Sequence, residues 1–287
     1  MSELLKKTRE ICKVMEIKPT RSKGQNFLIN EKIYDDIVRA ADLNEEDIVI
    51  EVGPGLGFLT TKLAKKVKKV IAVELDDKLA NYLTLGVSAQ ASSNIKIVNE
   101  DILRFNIEKY FIENNYSKVP EYKIVANLPY NISSIFLRTF LSSKYKPKSL
   151  TLMLQKEVAQ RIIADVPDNN LLALSVAYYG KANIIREVKA GNFWPEPEVD
   201  SAVIKIDINQ EVKYNIEEDK LFFRLAKIIF SGKRKMIKNN LQAGLKIDSE
   251  ELEKIFKEIN IDSHLRPERL NLSDFKILFA ALKSFMV

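Results

Sequence analysis

The segment Asn127-Leu128-Pro129-Tyr130 brings two hydrogen-bond acceptors and an aromatic ring together. An exocyclic amine of a nucleobase is a poor nucleophile because its lone pair is delocalised into the ring. The Asn127 side-chain oxygen and the Leu128 carbonyl can accept both amine hydrogens and localise that lone pair. Tyr130 can stack on the base, which is worth about 1–3 kcal/mol, and Pro129 restricts the backbone around the carbonyl. The alternative is an ordinary turn, in which Asn and Pro are common.

A glycine-rich turn and two carboxylates follow predicted strands earlier in the chain. The turn reads Glu51-Val52-Gly53-Pro54-Gly55-Leu56-Gly57, and its glycines let the backbone approach a ligand closely. Glu74 lies about 20 residues beyond Gly53, where a strand-end carboxylate accepts hydrogen bonds from ribose hydroxyls. Asp101, after the third strand, can accept a hydrogen bond from an adenine amino group. Either acid alone could be a solvated loop residue, but two at successive strand ends favour a ligand that contains adenosine.

A proline-rich segment from Phe193 to Ser201 carries two further aromatic residues, Phe193 and Trp194. Its proline spacing predicts a rigid extended loop between strands at residues 183–188 and 202–206. Phe193 can cover the second face of a base that has flipped out of its stack. In the alternative, which fits the composition equally well, both aromatic residues only anchor the loop on the core.

Strands and helices must alternate to position these groups. Five short apolar runs predict buried strands, at residues 47–52, 70–75, 95–98, 123–126 and 150–154. Helical patterns separate them, which predicts an α/β fold with a parallel sheet covered on both faces. Ligands bind at the carboxyl ends of such strands, where the groups described above lie. Beyond residue 210 the pattern is helical, so we predict an α/β domain over residues 1–210 and a small all-α domain over residues 211–287.

The composition limits the other possible functions. The 45 Lys and Arg residues exceed the 39 Asp and Glu residues, and the resulting net charge of +6 favours a polyanionic partner. A single cysteine, Cys12, excludes an intramolecular disulfide, and a single histidine, His264, excludes a histidine-rich metal site, so we expect no metal. No apolar run approaches the roughly 18 residues that cross a bilayer. Since no targeting pattern opens the chain, we expect a cytoplasmic protein with no membrane partner.

Several segments occur together and in a specific order along the chain. They are Lys23-Gly24-Gln25-Asn26-Phe27-Leu28, the glycine turn, the strand ends at Glu74 and Asp101, Asn127-Leu128-Pro129-Tyr130-Asn131-Ile132-Ser133, Leu154-Gln155-Lys156-Glu157-Val158-Ala159, the loop from Phe193 to Ser201, and Gly232-Lys233-Arg234-Lys235. In these segments the chain resembles the ribosomal RNA adenine dimethyltransferases, the KsgA/RsmA type, along most of its length. The resemblance implies an S-adenosylmethionine-dependent methyltransferase with a Rossmann-like domain, an N-terminal lid segment over residues 1–30, and a small helical C-terminal domain.

The resemblance also implies which residues bind the cofactor and which hold the target base. The implied cofactor residues are Gln25, Asn26, Leu28, Gly53, Gly55, Glu74, Asp101 and Asn127. The implied catalytic residues around the target adenine are Asn127, Leu128, Pro129, Tyr130 and Phe193, with the two aromatic rings on opposite faces of the base. Position 194 departs from the expected pattern, because Trp stands where many relatives have a smaller residue. The detailed shape of the base pocket therefore stays open.

The family resemblance implies a specific substrate. Its members convert two adjacent adenosines in the 3′-terminal hairpin loop of 16S small-subunit rRNA to N6,N6-dimethyladenosine, with a role in ribosome biogenesis. The expected partner is the small ribosomal subunit, and we expect the enzyme to be a monomer. Two alternatives stay open: the related enzyme type that methylates large-subunit rRNA and confers macrolide resistance, and a non-catalytic ribosome assembly factor on the same fold.

Clusters of basic residues are candidates for contact with RNA. Arg21 and Lys23 lie in the predicted lid segment. Lys233, Arg234 and Lys235 belong to a run of seven cations, with no acid, between residues 220 and 238. Such contacts position an RNA rather than read its sequence. The alternative is a solvated helix face, which charged runs commonly form.

Overall fold

The computed structural model describes residues 2–19, 25–89, 93–212, 214–232 and 234–286. Within these ranges the strands are β1 Phe27–Leu28, β2 Ile48–Val52, β3 Lys69–Glu74, β4 Ile95–Asn99, β5 Lys123–Asn127, β6 Ser149–Gln155, β7 Gly180–Val188, β8 Phe193–Trp194 and β9 Ser201–Ile208. The helices are α1 Glu3–Val14, α2 Glu31–Ala40, α3 Phe58–Ala64, α4 Asp77–Ala89, α5 Ile107–Glu113, α6 Ser133–Leu141, α7 Lys156–Ile162, α8 Leu171–Tyr179, α9 Ile216–Ile229, α10 Ile237–Leu245, α11 Ser249–Glu258 and α12 Leu272–Leu282. In this described part of the chain, no helix is both long and apolar enough to cross a membrane.

Seven strands form one sheet in the order β4-β3-β2-β5-β6-β9-β7, and β1 pairs with β8 in a separate two-stranded ribbon. The five strands from β4 to β6 are parallel to one another, whereas β9 runs antiparallel to β6. The strand order reverses between β2 and β5, which is the kind of switch point at which ligands bind in open α/β sheets. The predicted α/β fold, with a mainly parallel sheet followed by helices, is confirmed.

A tightly buried layer of side chains fixes the central strands. All five residues of β2 are buried, as expected for a central strand of a parallel sheet that is covered on both faces. Ile37 of α2, Leu63 of α3 and Val70 of β3 have no exposed surface and belong to one apolar cluster. Because these helices pack directly on the sheet, the loops that leave the carboxyl ends of its strands start from fixed positions.

The chain divides into two compact units. The sheet unit comprises Met1–Ala159 and Ala182–Ile208, and the helical unit comprises Gln160–Lys181 and Asn209–Val287. The helical unit has its own apolar core, in which Leu225, Leu241 and Phe275 are fully buried. Residues 160–181 lie in this unit, whereas the predicted boundary at residue 210 puts them in the first domain.

Helix α8 accounts for this difference from the prediction. Leu174 is buried in the core of the helical unit, and the ring of Tyr178 stacks on Phe222 with 4.4 Å between the centroids. The hydroxyls of Tyr178 and Tyr179 donate hydrogen bonds to the two oxygens of Asp219, at 2.8 and 3.0 Å. These partners are distant in sequence, so the local pattern of α8 does not reveal where the helix packs.

Candidate active site

A cavity of about 340 Å³ opens at the carboxyl ends of β2, β3 and β5. Every residue that the sequence assigns to the cofactor lines this cavity: Gln25, Asn26, Leu28, Gly53, Gly55, Glu74, Asp101 and Asn127. Of the remaining catalytic candidates, Pro129 lines the cavity, whereas Leu128, Tyr130 and Phe193 lie outside its lining. The structure therefore brings together residues that are spread over about a hundred positions of the chain.

Three glycines shape the turn between β2 and α3. Gly53, Gly55 and Gly57 have φ angles of +61°, +58° and +79°, in the left-handed region that favours glycine. The Gly53 amide donates a hydrogen bond of 3.0 Å to the Val73 carbonyl, which ties the turn to β3. A side chain at Gly55 would lie 3.3 Å from the ring of Phe27. The turn thus passes close to the N-terminal segment, and a larger residue at Gly55 would crowd the Phe27 ring in a backbone conformation that already favours glycine.

Glu74, at the end of β3, is held by backbone amides. Its Oε1 accepts a hydrogen bond from the Asp76 amide at 2.9 Å, and its Oε2 accepts one from the Gly55 amide at 3.1 Å. Burial raises the pKa of the Glu74 carboxyl, and both amide bonds oppose that rise. With its geometry fixed, Glu74 can still accept hydrogen bonds from a diol such as a ribose.

Two more of the predicted residues, Gln25 and Asp101, line the cavity and make hydrogen bonds with neighbouring residues. Gln25 donates a hydrogen bond from Nε2 to Oδ2 of Asp76 at 3.3 Å. Asp101 follows β4, and its Oδ1 accepts a hydrogen bond from the Leu103 amide at 2.9 Å. The Asp101 side chain keeps 34% of its surface exposed, so it remains accessible to a donor on a ligand.

Glu51 is a site residue that the sequence reading did not single out. It is 1% exposed, lines the cavity from within β2, and its Oε2 has no hydrogen-bond partner among the described residues. Burial, with repulsion from Glu74 added, raises the pKa of Glu51 to about 8. A buried carboxyl with one unpartnered oxygen in a cavity wall suits a cationic ligand, because a nearby positive charge stabilises the carboxylate. The available signal was an acid inside the apolar run from Ile48 to Val52.

The segment Asn127-Leu128-Pro129-Tyr130, here called the acceptor turn, starts at the last residue of β5. The Asn127 side chain donates a hydrogen bond from Nδ2 to the backbone oxygen of Asn26 at 3.4 Å, so its Oδ1 remains as an acceptor in the cavity wall. The Leu128 amide donates to the Met153 carbonyl at 3.0 Å, and the Leu128 side chain is buried. Pro129, with φ of −55°, starts a single 3₁₀ turn that leads into α6. The start of the turn is therefore fixed to the sheet, and its end continues into α6.

Tyr130 joins this turn to the loop that precedes β9. Its hydroxyl lies 2.6 Å from Oγ of Ser201, a residue with no exposed surface at the start of β9. Burial raises the pKa of the Tyr130 phenol, so the hydroxyl stays neutral and available for this hydrogen bond. The contact restrains the tyrosine ring beside the cavity.

Phe193 lies in the core of the sheet unit. It is 3% exposed, pairs with Leu28 across the ribbon of β1 and β8, and belongs to the main apolar cluster. This is the position expected of a residue that anchors the loop. Stacking of Phe193 on a base requires the ring to leave the core, and it stays a prediction.

The basic candidates are placed only in part. Arg21, Lys23 and Lys233 lie outside the described residues. Arg234 and Lys235 are exposed in the helical unit, before α10. Among the residues that the structure describes, no group of three or more His, Cys, Asp and Glu side chains could hold a metal ion.

Comparisons with known proteins identify the family of the chain. The family described as "Ribosomal RNA adenine dimethylase" matches residues 17–278. "Ribosomal RNA small subunit methyltransferase A" of Dehalococcoides mccartyi is 41% identical over 275 residues, which cover 96% of this chain and 92% of that protein. The protein of the same name from Alkaliphilus oremlandii is 40% identical over 280 residues and 95% of each chain. A dimethyladenosine transferase from Plasmodium falciparum superposes with a TM-score of 0.78 at 25% identity, over 90% of this chain and 98% of that chain.

The fold also resembles that of the 23S rRNA methyltransferase ErmE, with a TM-score of 0.68 at 24% identity over 90% of this chain and 100% of that one. This fold, with a glycine turn and a strand-end carboxylate at its switch point, is that of an S-adenosylmethionine-dependent methyltransferase. The family match and the relatives make the particular assignment: this chain belongs to the ribosomal RNA adenine dimethylase family. It is therefore an enzyme whose cofactor is S-adenosylmethionine and whose substrate is ribosomal RNA.

Proposed function

We propose that this protein dimethylates the N6 amines of two adjacent adenosines in the 3′-terminal hairpin loop of 16S small-subunit rRNA during ribosome biogenesis. The observation that carries the proposal is the orientation of the Asn127 amide. Its Nδ2 donates a hydrogen bond to the backbone oxygen of Asn26, so its Oδ1 can accept a hydrogen bond from the target amine. The relatives named for the small subunit cover nearly the whole chain, the helical unit included. The enzyme acts as a cytoplasmic monomer on the small ribosomal subunit.

Different residues of the cavity bind different parts of S-adenosylmethionine. S-adenosylmethionine supplies an electrophilic methyl group and carries positive charge at its sulfonium and ammonium centres. Glu74 accepts hydrogen bonds from the ribose hydroxyls, and Asp101 accepts one from the adenine amino group. Gly53 and Gly55 admit the methionine end to the backbone, and Glu51 faces its positive charge. The cavity is covered from the N-terminal side by Gln25, Asn26 and Leu28, which belong to the lid segment over residues 1–30.

The acceptor turn prepares the target amine for attack. Asn127 Oδ1 and the Leu128 carbonyl hold its two hydrogens, and Pro129 keeps that carbonyl in place. Tyr130, restrained by Ser201, stacks on the base. Once methylated, the nitrogen carries a positive charge and is acidic, so it passes its proton to water without a strong general base, which suits a cavity lining with no histidine. Arg234 and Lys235, together with Arg21, Lys23 and Lys233, contact the RNA backbone.

The test is transfer of tritiated methyl groups from S-adenosylmethionine to unmodified small and large ribosomal subunits. Asn127→Ala is the inactive variant, and Asn239→Ala, which removes an exposed amide in α10, is the matched control. Label in N6,N6-dimethyladenosine of the small subunit, lost only in Asn127→Ala, supports the proposal. Label on the large subunit would replace it with the macrolide-resistance type of enzyme. Binding of subunits without label would replace it with an assembly factor.

A further inference from the structure

Helices α9 and α10 border a groove of about 590 Å³ in the helical unit. The helices approach closely because Gly244 of α10 has no side chain: a Cβ there would lie 2.3 Å from Cγ2 of Ile228 on α9. The charged side chains that line the groove are all cations, namely Lys220, Arg224 and Lys227. Such a surface favours an anionic occupant.

The three cations form a row along one face of α9. Their spacing of i, i+4 and i+7 puts them on the same side of the helix. At 1.5 Å per residue the row is about 10 Å long, which is longer than a single phosphate group. The row therefore fits a chain of phosphates better than a free phosphate ion.

The structure separates these cations from the rest of the basic run. Lys238 is paired with Glu253 at 2.6 Å, whereas Lys227 has no ion pair among the described residues. Lys220 pairs with Glu217 at 2.7 Å, but both side chains are largely exposed, so water screens this contact. Arg224 donates a hydrogen bond of 3.0 Å to the Met286 carbonyl, which orients its guanidinium.

We infer that this groove binds the sugar–phosphate backbone of the RNA substrate. The inference rests on the proposed function only for the identity of the polyanion. The contacts position the RNA on the helical unit without reading its bases, because cations on phosphates carry no sequence information. The groove adds Lys220, Arg224 and Lys227 to the RNA contacts and assigns no RNA contact to Lys238.

Two sets of variants test the groove. Lys220→Gln with Lys227→Gln removes two of its charges and leaves Arg224, which bonds to the C-terminal backbone. The matched control is Lys254→Gln with Lys257→Gln, which removes two exposed lysines from α11. Ala243→Glu adds a carboxylate at an exposed position in the groove lining and removes no packed atoms. Ala243→Gln is its neutral counterpart.

The measurement is the affinity of each variant for unmodified small subunits, and for protein-free 16S rRNA, over a series of KCl concentrations. The slope of log affinity against log salt is negative, and each lost phosphate contact should reduce its magnitude by about 0.7–0.9. For the groove double variant we expect the magnitude of the slope to fall by about 1.5 with both probes. Ala243→Glu should bind more weakly than Ala243→Gln. The α11 control should match the wild type, and S-adenosylmethionine affinity should stay constant in every variant.

A wild-type slope for the groove variants would overturn the inference. A loss on subunits but none on protein-free rRNA would overturn it too, and would assign the groove to an acidic surface of a ribosomal protein. Methyl transfer by the wild type is measured separately. If the wild type methylates small subunits while the groove variants keep its slope, the groove inference fails and the proposed function stands. If the wild type neither binds nor methylates them, the proposed function fails first.

Discussion

The side-chain amide of Asn127 donates a hydrogen bond of 3.4 Å to the backbone oxygen of Asn26, a residue 101 positions earlier in the chain. This contact joins the acceptor turn to the N-terminal segment that borders the cofactor cavity. It also sets the direction of the amide, since Nδ2 has a partner and Oδ1 faces the other way. One hydrogen bond thus links the N-terminal segment at the cavity to the orientation of the Asn127 amide.

Asn127→Asp should slow methyl transfer although it keeps an acceptor oxygen. A carboxylate oxygen would replace Nδ2 opposite the Asn26 carbonyl, so two acceptors would face each other and the side chain would turn away. A lost and unreplaced hydrogen bond costs about 1–3 kcal/mol, so we expect single-turnover methyl transfer to fall about 10- to 100-fold. The cofactor dissociation constant is measured in parallel, because Asn127 also lines the cofactor cavity. A variant with the wild-type rate would show that the orientation of this amide is unimportant.

The contact between Tyr130 and Ser201 should matter for positioning, and the tyrosine ring itself for binding. Tyr130→Phe and Ser201→Ala each remove the 2.6 Å hydrogen bond and keep the ring. Because both act on one contact, the double variant should lose little more than either single variant. Tyr130→Ala also removes the stacking surface, worth about 1–3 kcal/mol, and should raise the KM for RNA further. Fully additive effects in the double variant would contradict the coupling.

Glu74→Gln should weaken cofactor binding because the carboxylate accepts from two backbone amides, those of Gly55 and Asp76. A glutamine has only one oxygen, so its amino group would face one of these N–H donors and leave it unsatisfied. At about 1–3 kcal/mol, the dissociation constant of S-adenosylmethionine should rise about 10- to 100-fold, as read by calorimetry. Glu100→Gln is the control, because Glu100 lines the same cavity but is exposed. Equal losses in both variants would mean that net charge, rather than hydrogen bonding, is responsible.

Several residues that line the cavity, such as Gly53, Glu74 and Asp101, could be singled out from the sequence because they lie at strand ends. Gln25, Asn26 and Leu28 are implied by the family resemblance alone. Residue type alone marks an apolar run, a glycine turn or a carboxylate such as Glu74, and a parallel sheet gathers these at one edge. Their hydrogen-bond partners are not visible in this way. The Asp76 amide is a neighbour in sequence, but the Asn26 carbonyl that orients Asn127 is not.

The sequence predicts buried strands, but it does not show which partners a single side chain meets. In the sequence, Glu51 is an acid beside a glycine turn. The structure shows that it is buried inside β2 and that its Oε2 has no hydrogen-bond partner among the described residues. Phe193 could either stack on a base or anchor its loop, and the pairing of β8 with β1 places its ring in the core. Helix α8 looks like part of the first domain until Tyr178 is seen on Phe222. Each of these depends on contacts between distant segments.

Glu51 should make the stability of the cofactor-free enzyme depend on pH. Its pKa is raised from an ordinary value of 4.5 to about 8, so the folded state keeps a proton that the unfolded chain releases above about pH 4.5. Over this window the folded state binds more protons than the unfolded state, and the Glu51 contribution therefore falls as pH rises. The fall is at most about 1.4 kcal/mol per pH unit, and it stops above about pH 8, where the folded state ionises as well.

Glu51→Gln removes this dependence because its side chain is neutral at every pH. Its Tm should exceed that of the wild type by an amount that grows from pH 5 to pH 8 and then levels off. Glu45→Gln, which changes an exposed glutamate, should follow the wild type throughout. Thermal unfolding of all three proteins without cofactor measures the effect. A Tm difference between Glu51→Gln and the wild type that is constant with pH would mean that Glu51 ionises in the folded protein as it does in water.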